Sequence, residues 1–177
     1  MHEHAVYDLP ADYFDALPAA DGVLVRMSEN VADTLAHHAE QLIVFLERGE
    51  VPPGGSGLLR RGPTPESVGR RMFPDAYRNR AEAAAFRERH AAALRDTGAA
   101  HRVFARCCAG PMHTLPHAEV DDWLVTFGLA RFVFLPRKGA DPGMAGTWLT
   151  HVQETLILAT NPNLVLPPTP STHRLWR

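Results

Sequence analysis

The chain reads as a mainly α protein, a helical bundle of about five helices with a small N-terminal β element, and three observations predict it. Apolar residues recur at helical spacing over residues 31–46, over 120–134 and over 149–159, stripes that must be buried against one another. Pro and Gly cluster between the stripes, and in Pro136–Gly143 they stop one helix and let the chain reverse. A single run, Gly22–Met27, has the β-branched composition of a strand.

Taken in order, residues 1–21 mix aromatics, prolines and acids and form an N-terminal extension, with Val6–Leu9 as a possible short strand. The helical domain spans 22–161. Its strand ends at Ser28, a residue type suited to capping the helix that follows. In that helix Val31, Leu35, Ala39, Leu42, Ile43 and Leu46 share one face, Asp33, His37, Glu40 and Glu47 lie largely off it, and Gly49 supplies the stop. Residues 50–69, rich in Pro and Gly, form a flexible connection. They include Gly54-Gly55-Ser56-Gly57, which lacks the preceding strand and the following lysine and hydroxyl of a phosphate loop.

After the anchor Arg70–Tyr77, a helix over Arg80–Arg95 is interrupted by Thr97-Gly98. The next helix, to Ala109, carries Val103, Phe104, Cys107 and Cys108 on one stripe, so both cysteines read as core. Thr114-Leu115-Pro116 leads into a long helix whose first turns hold Glu119, Asp121 and Asp122, where the helix dipole favours negative charge. Its stripe reads 120, 124, 127, 131, 134. An arginine therefore interrupts it, and a charge on a core-facing stripe needs a partner, with Glu154 and Asp75 the leading candidates for Arg131. A last helix runs to Ala159, and residues 162–177 form a proline-rich tail.

Composition narrows the function classes. One domain accommodates 177 residues, and no apolar run is long enough to cross a membrane. The N-terminus lacks the basic start and apolar core of a secretory signal, and the two cysteines are adjacent, so a cytoplasmic, reducing compartment is expected. Net charge is −2, but residues 1–50 carry ten acids against Arg26 and Arg48, while residues 51–106 carry eleven arginines against five acids. An acidic first layer packed on the basic middle would neutralise both. A nucleic-acid footprint is the lesser reading.

Ten histidines and two cysteines show no ligand spacing. His37 and His38 are adjacent, Pro116 separates His113 from His117, and Cys107-Cys108 lacks the gap of a zinc knuckle, so neither metal nor cofactor is expected. The cysteines lie in an apolar stripe that disfavours the thiolate, and Ser56 does not stand in a nucleophile elbow. The functional candidates gather around Arg131. Either it forms a buried ion pair that sets helix register, or Arg131, Gln153 and Glu154 with Asp75 or Tyr77 line a polar pocket for an anion or small ligand. Trp123 and Trp148 read first as core and second as ligand or partner contacts.

Three ordered motifs also carry a resemblance: Arg71-Met72-Phe73-Pro74-Asp75-Ala76-Tyr77; then Trp123-Leu124 followed by Phe127 and Arg131; then Trp148-Leu149 followed by Gln153-Glu154-Thr155-Leu156. Together they resemble the actinobacterial domain-of-unknown-function family twenty-seventeen over residues 22–160. The resemblance implies a mostly helical intracellular protein without established activity, from a family often encoded near the Clp protease adaptor and guessed to be regulatory. This chain departs at Gly128, where the family tends to place an Asn. The reading that results is a non-catalytic regulatory or adaptor protein that binds a protein partner, with a homodimer compatible with spare apolar helix faces. The alternatives are a small-molecule or anion-binding protein or enzyme built around Arg131, and a DNA-binding regulator that uses the arginine-rich middle.

Overall fold

A computed structural model describes residues 12–51, 64–134 and 143–164. The possible strand at Val6–Leu9, the Gly54–Gly57 loop, most of the Pro136–Gly143 turn and the tail beyond Leu164 lie outside these residues. Strands β1 (Phe14–Ala19) and β2 (Gly22–Met27) form a hairpin, followed by helix α1 (Glu29–Arg48), α2 (Pro65–Met72), α3 (Arg80–Arg89), the single turn α4 (Ala91–Leu94) and α5 (Gly98–Cys108). Strand β3 (Met112–Pro116) leads directly into α6 (His117–Phe134), and α7 (Gly143–Thr160) ends the described fold. The protein is mainly helical with a small antiparallel sheet, as expected.

The sheet has the order β1-β2-β3, with Leu17 opposite Leu24 and Leu24 opposite Thr114. One face is apolar: Phe14 and Ala16, then Val23, Val25 and Met27, then Leu115, all buried against α6 and α7. Gly22 has φ 153°, and a Cβ there would sit 2.0 Å from the Leu115 carbonyl oxygen, so only glycine lets β2 start beside β3. Two of the three strands differ from expectation. Residues 14–19 belong to the sheet and core rather than to an extension, and β3 occupies what reads as a lead-in to α6. Both are short, and Pro18, Pro111 and Pro116 disguise them; each strand pairs on one side only among the described residues, where proline is tolerated.

Helix α1 follows its pattern closely. Val31, Leu35, Ala39, Leu42, Ile43 and Leu46 are buried, and Gly49, at φ 70°, closes the helix by donating its N–H to the Phe45 carbonyl at 2.8 Å. Ser28 stands at the N-cap position, although its side chain makes no capping hydrogen bond.

Helix α2 begins inside what reads as a flexible connection and runs into the Arg70–Tyr77 anchor. Thr64 and Ser67 bond each other's backbone amides in a capping box, and Pro65 occupies the first turn, where a missing N–H costs nothing. The proline begins a helix instead of breaking one. With α2 the described residues hold six helices of eight residues or more besides the turn α4.

At the centre is α6, which touches α1, α2, α5, α7 and strands β2 and β3. Its buried positions are Val120, Trp123, Thr126, Phe127, Ala130 and Val133. The core stripe is thus turned by about one residue from the expected 120, 124, 127, 131, 134: Leu124 and Arg131 are half-buried on its flank, and the Phe134 side chain lies outside the described residues. Of the two cysteines, Cys107 is buried and Cys108 exposed, so only the first is core.

Candidate functional site

The residues singled out in the sequence divide among three places. Trp123 is core, 1% exposed and edge-on to Phe127 at 5.6 Å, and Trp148 packs half-buried against the same cluster. Arg131 and Gln153 meet in the seam between α6 and α7, where Arg131 Nη1 donates to Gln153 Oε1 at 3.2 Å and Gln153 Nε2 donates to the Leu124 carbonyl at 2.9 Å. Glu154 is exposed and makes no ion pair among the described residues. Asp75 pairs with Arg87 at 2.7 Å instead. Neither carboxylate expected for Arg131 meets it: the half-buried guanidinium has a carboxamide as its neighbour through Nη1, and its buried Nε has no hydrogen-bond partner among the described residues.

Asp75 and Tyr77 line a different feature, a double cleft. Its first cavity, of about 650 Å³, lies where the C-terminal end of α1 meets α2, α3 and α4. Phe45, Leu46, Phe73 and Leu94 form its apolar floor, and Arg48, Arg70, Arg87 and Arg95 its rim, with Glu47 and Glu66. The second, of about 570 Å³, shares Arg70 and Arg87 with the first and adds Asp75, Tyr77, Arg78 and Arg80. Six arginines face three carboxylates across the pair. Arg131, Gln153 and Glu154 line neither cavity.

Each wall has a local cause. The capping box and Pro65 start α2 so that Gly69 and Arg70 look across to α1. Asn79 caps α3, its Oδ1 accepting from Ala81 N at 2.9 Å and Glu82 N at 3.3 Å, and so places Arg80 and Arg87 on the cleft. Arg87 ties the wall together by donating to the Phe73 carbonyl at 3.2 Å while it holds Asp75. Tyr77 rests edge-on against Phe86 at 5.8 Å and remains 44% exposed.

The arginines of the described residues then sort into two groups. Arg26 holds Asp15, Arg102 and Arg106 make two-pronged pairs with Asp122 and Glu119, and Arg71 donates to the Phe132 carbonyl. The α6 acids hold the Arg102 and Arg106 guanidinium groups in their charged form, raising both above the ordinary arginine range, whereas burial lowers Arg71. The basic middle is thus neutralised mainly by the start of α6 and not, as expected, by residues 1–50; among the described residues only Glu47, with His101 at 3.5 Å, reaches across. Arg48, Arg70, Arg78, Arg80 and Arg95 make no side-chain hydrogen bond or ion pair among the described residues, and every one of them lines the cleft.

Sequence reading reaches only Asp75 and Tyr77 of this site. Its one signal for the rest is the excess of arginine over residues 51–106. Among the described residues no group of three or more His, Cys, Asp or Glu side chains is placed to hold a metal ion.

These features define a mainly helical protein whose small antiparallel sheet backs the α6–α7 pair and whose arginine-lined cleft opens beside α1. The family model described as Domain of unknown function (DUF2017) matches residues 12–160, and the chain belongs to that family. The match begins ahead of β1, so the hairpin lies within the family's domain. No curated protein and no solved structure matches the chain. Among the described residues no helix is long and apolar enough to cross a membrane.

Proposed function

We propose that the protein is a non-catalytic regulatory or adaptor protein that binds a partner protein through the double cleft. The observation that carries this reading is the sorting of the arginines. Elsewhere in the described residues guanidinium groups are matched to carboxylates or carbonyls, and those left unmatched are gathered around two adjoining cavities. Clustered like charges repel one another in the isolated fold, and they gain partners when a complementary surface docks. The apolar floor adds desolvated contact area that a purely charged surface lacks. The two free cysteines support a reducing, cytoplasmic setting.

A photo-crosslinking residue placed at Tyr77 in the full chain, expressed in the source cell, tests the reading. It is expected to yield a discrete protein adduct that disappears in Arg70→Glu, while the same probe at Met112, exposed on β3 away from the cleft, yields none. Equal labelling from both positions, or none from Tyr77, would overturn it. A second reading, an anionic small molecule in the cleft, is favoured only by cavity volumes that fall within the usual range of ligand sites.

A further inference from the structure

We infer that the cleft takes an acidic peptide segment carrying an apolar or aromatic anchor, an inference that rests on the cleft being the binding surface. The two cavities ask for different chemistry. The first has a floor of Phe45, Leu46, Phe73 and Leu94, which fits an uncharged side chain, with Arg48 and Arg95 at its rim. The second has no comparable floor and presents Arg78 and Arg80. Arg70 stands at the junction. Because Arg87, the other shared residue, is already held by Asp75 and the Phe73 carbonyl, Arg70 is the junction's cation without a partner among the described residues. An extended chain crossing both cavities would bury its anchor in the first and lay carboxylates on Arg70, Arg78 and Arg80, where planar guanidinium forks match carboxylate geometry.

The same cleft is poorly built for phosphates. A phosphate site favours open backbone amides at a helix start, and the start of α3 beside the second cavity is already closed by Asn79. The first cavity lies at the carbonyl end of α1, with Glu47 and Glu66 on its rim, which repel a polyphosphate more strongly than isolated carboxylates. Charge complementarity with an apolar anchor therefore favours a protein segment over a nucleotide or nucleic acid.

Fluorescence anisotropy with the full-length protein and the labelled peptide Glu-Asp-Phe-Glu-Asp-Leu-Glu-Glu tests this. Binding is expected to weaken with salt. It should fall about tenfold in Arg70→Ala and about tenfold when serine replaces the peptide's phenylalanine, each change removing one strong contact. It should be unchanged in Arg89→Ala, which alters an α3 arginine outside the cleft. Failure of the peptide to bind, equal binding of its glutamine-for-glutamate version, or displacement by oligothymidylate with higher affinity would overturn the inference. If the peptide fails while the Tyr77 probe still captures a partner, the peptide class is wrong and the cleft reading stands. If both fail, the cleft reading falls with it.

Discussion

Arg131 and Gln153 face each other across the α6–α7 seam, Nη1 donating to Oε1 at 3.2 Å, and Gln153 passes the connection on by giving its own Nε2 to the Leu124 carbonyl at 2.9 Å. Gln153 is therefore the residue that ties the helices, and Arg131 is its outer neighbour. Gln153→Ala removes two hydrogen bonds from a half-buried seam and should cost about 2 kcal/mol, whereas Arg131→Ala removes one and should cost about 1 kcal/mol or less. Urea unfolding of both variants checks the order. A larger loss for Arg131→Ala would mean that its charge is held by something other than Gln153.

Gly128 sits under the same amide. A Cβ at this position would lie 3.1 Å from Gln153 Nε2, tighter than a relaxed contact. Alanine in place of a helix-interior glycine normally gains about 0.5–1 kcal/mol. In Gly128→Ala that gain should be largely cancelled by displacement of the Gln153 amide, and it should reappear in the Gln153→Ala background. A double-mutant cycle measures the difference. Additive effects would show that the two side chains do not compete for space.

These residues also show how far sequence reasoning reaches. Helices α1, α6 and α7 follow from periodicity because each buries a regular set of side chains, and strand β2 follows from its β-branched composition. On α6 the periodicity identifies the helix without orienting it. Apolar residues occupy nearly every side from Trp123 to Val133, so a stripe can be drawn through 124 and 131 as well as through 123 and 130, although only the second avoids the arginine, and the packed core follows the second. Pro65 misleads for the opposite reason, since a proline within a loop-like stretch marks α2's first turn once Thr64 is seen as its cap. The cleft leaves the faintest trace. Its walls come from the end of α1, from α2 and from α3–α4, and no local pattern brings Arg48, Arg70 and Arg95 together.

His38 should set the acid limit of stability. Burial in α1, with His37 beside it, pushes its imidazole down to about 4 from an ordinary 6.5. The unfolded chain binds a proton at His38 below pH 6.5, and the folded chain does not until near pH 4. Stability is therefore complete above 6.5 and falls as pH drops through this window, by up to about 1.4 kcal/mol per pH unit. Asp15 acts lower still: the hydrogen bond from Arg26 holds its carboxyl below the usual range, and its contribution is lost only as pH falls through that lowered value. Thermal unfolding between pH 7 and 4 checks the slope, which His38→Leu should flatten. An unchanged slope in that variant would assign the acid sensitivity elsewhere.

Adjacent in sequence, the two cysteines should behave as opposites. Cys108 is exposed, while burial pushes the Cys107 thiol up to about 12. A maleimide should modify Cys108 in the native protein and reach Cys107 only on unfolding, because the thiolate is the reactive form and Cys107 withholds it. Mass spectrometry of native and denatured samples reads the stoichiometry. Rapid native labelling of Cys107 would indicate that α5 opens from the core.

A binding surface held apart from the fold's own needs has a signature in stability. Arg106 is matched to Glu119 through two bonds of 2.8 Å that join α5 to α6, so Arg106→Gln should lower the melting temperature, most clearly at low salt, where the pair is least screened. Arg70 stands among like charges with no matching carboxylate among the described residues, so Arg70→Gln should leave the melting temperature unchanged or raise it, again most clearly at low salt. The opposite signs separate an arginine kept for the fold from one kept for a partner. If Arg70→Gln destabilises the protein as Arg106→Gln does, the cleft arginines serve the architecture, and their gathering around the two cavities loses its functional meaning.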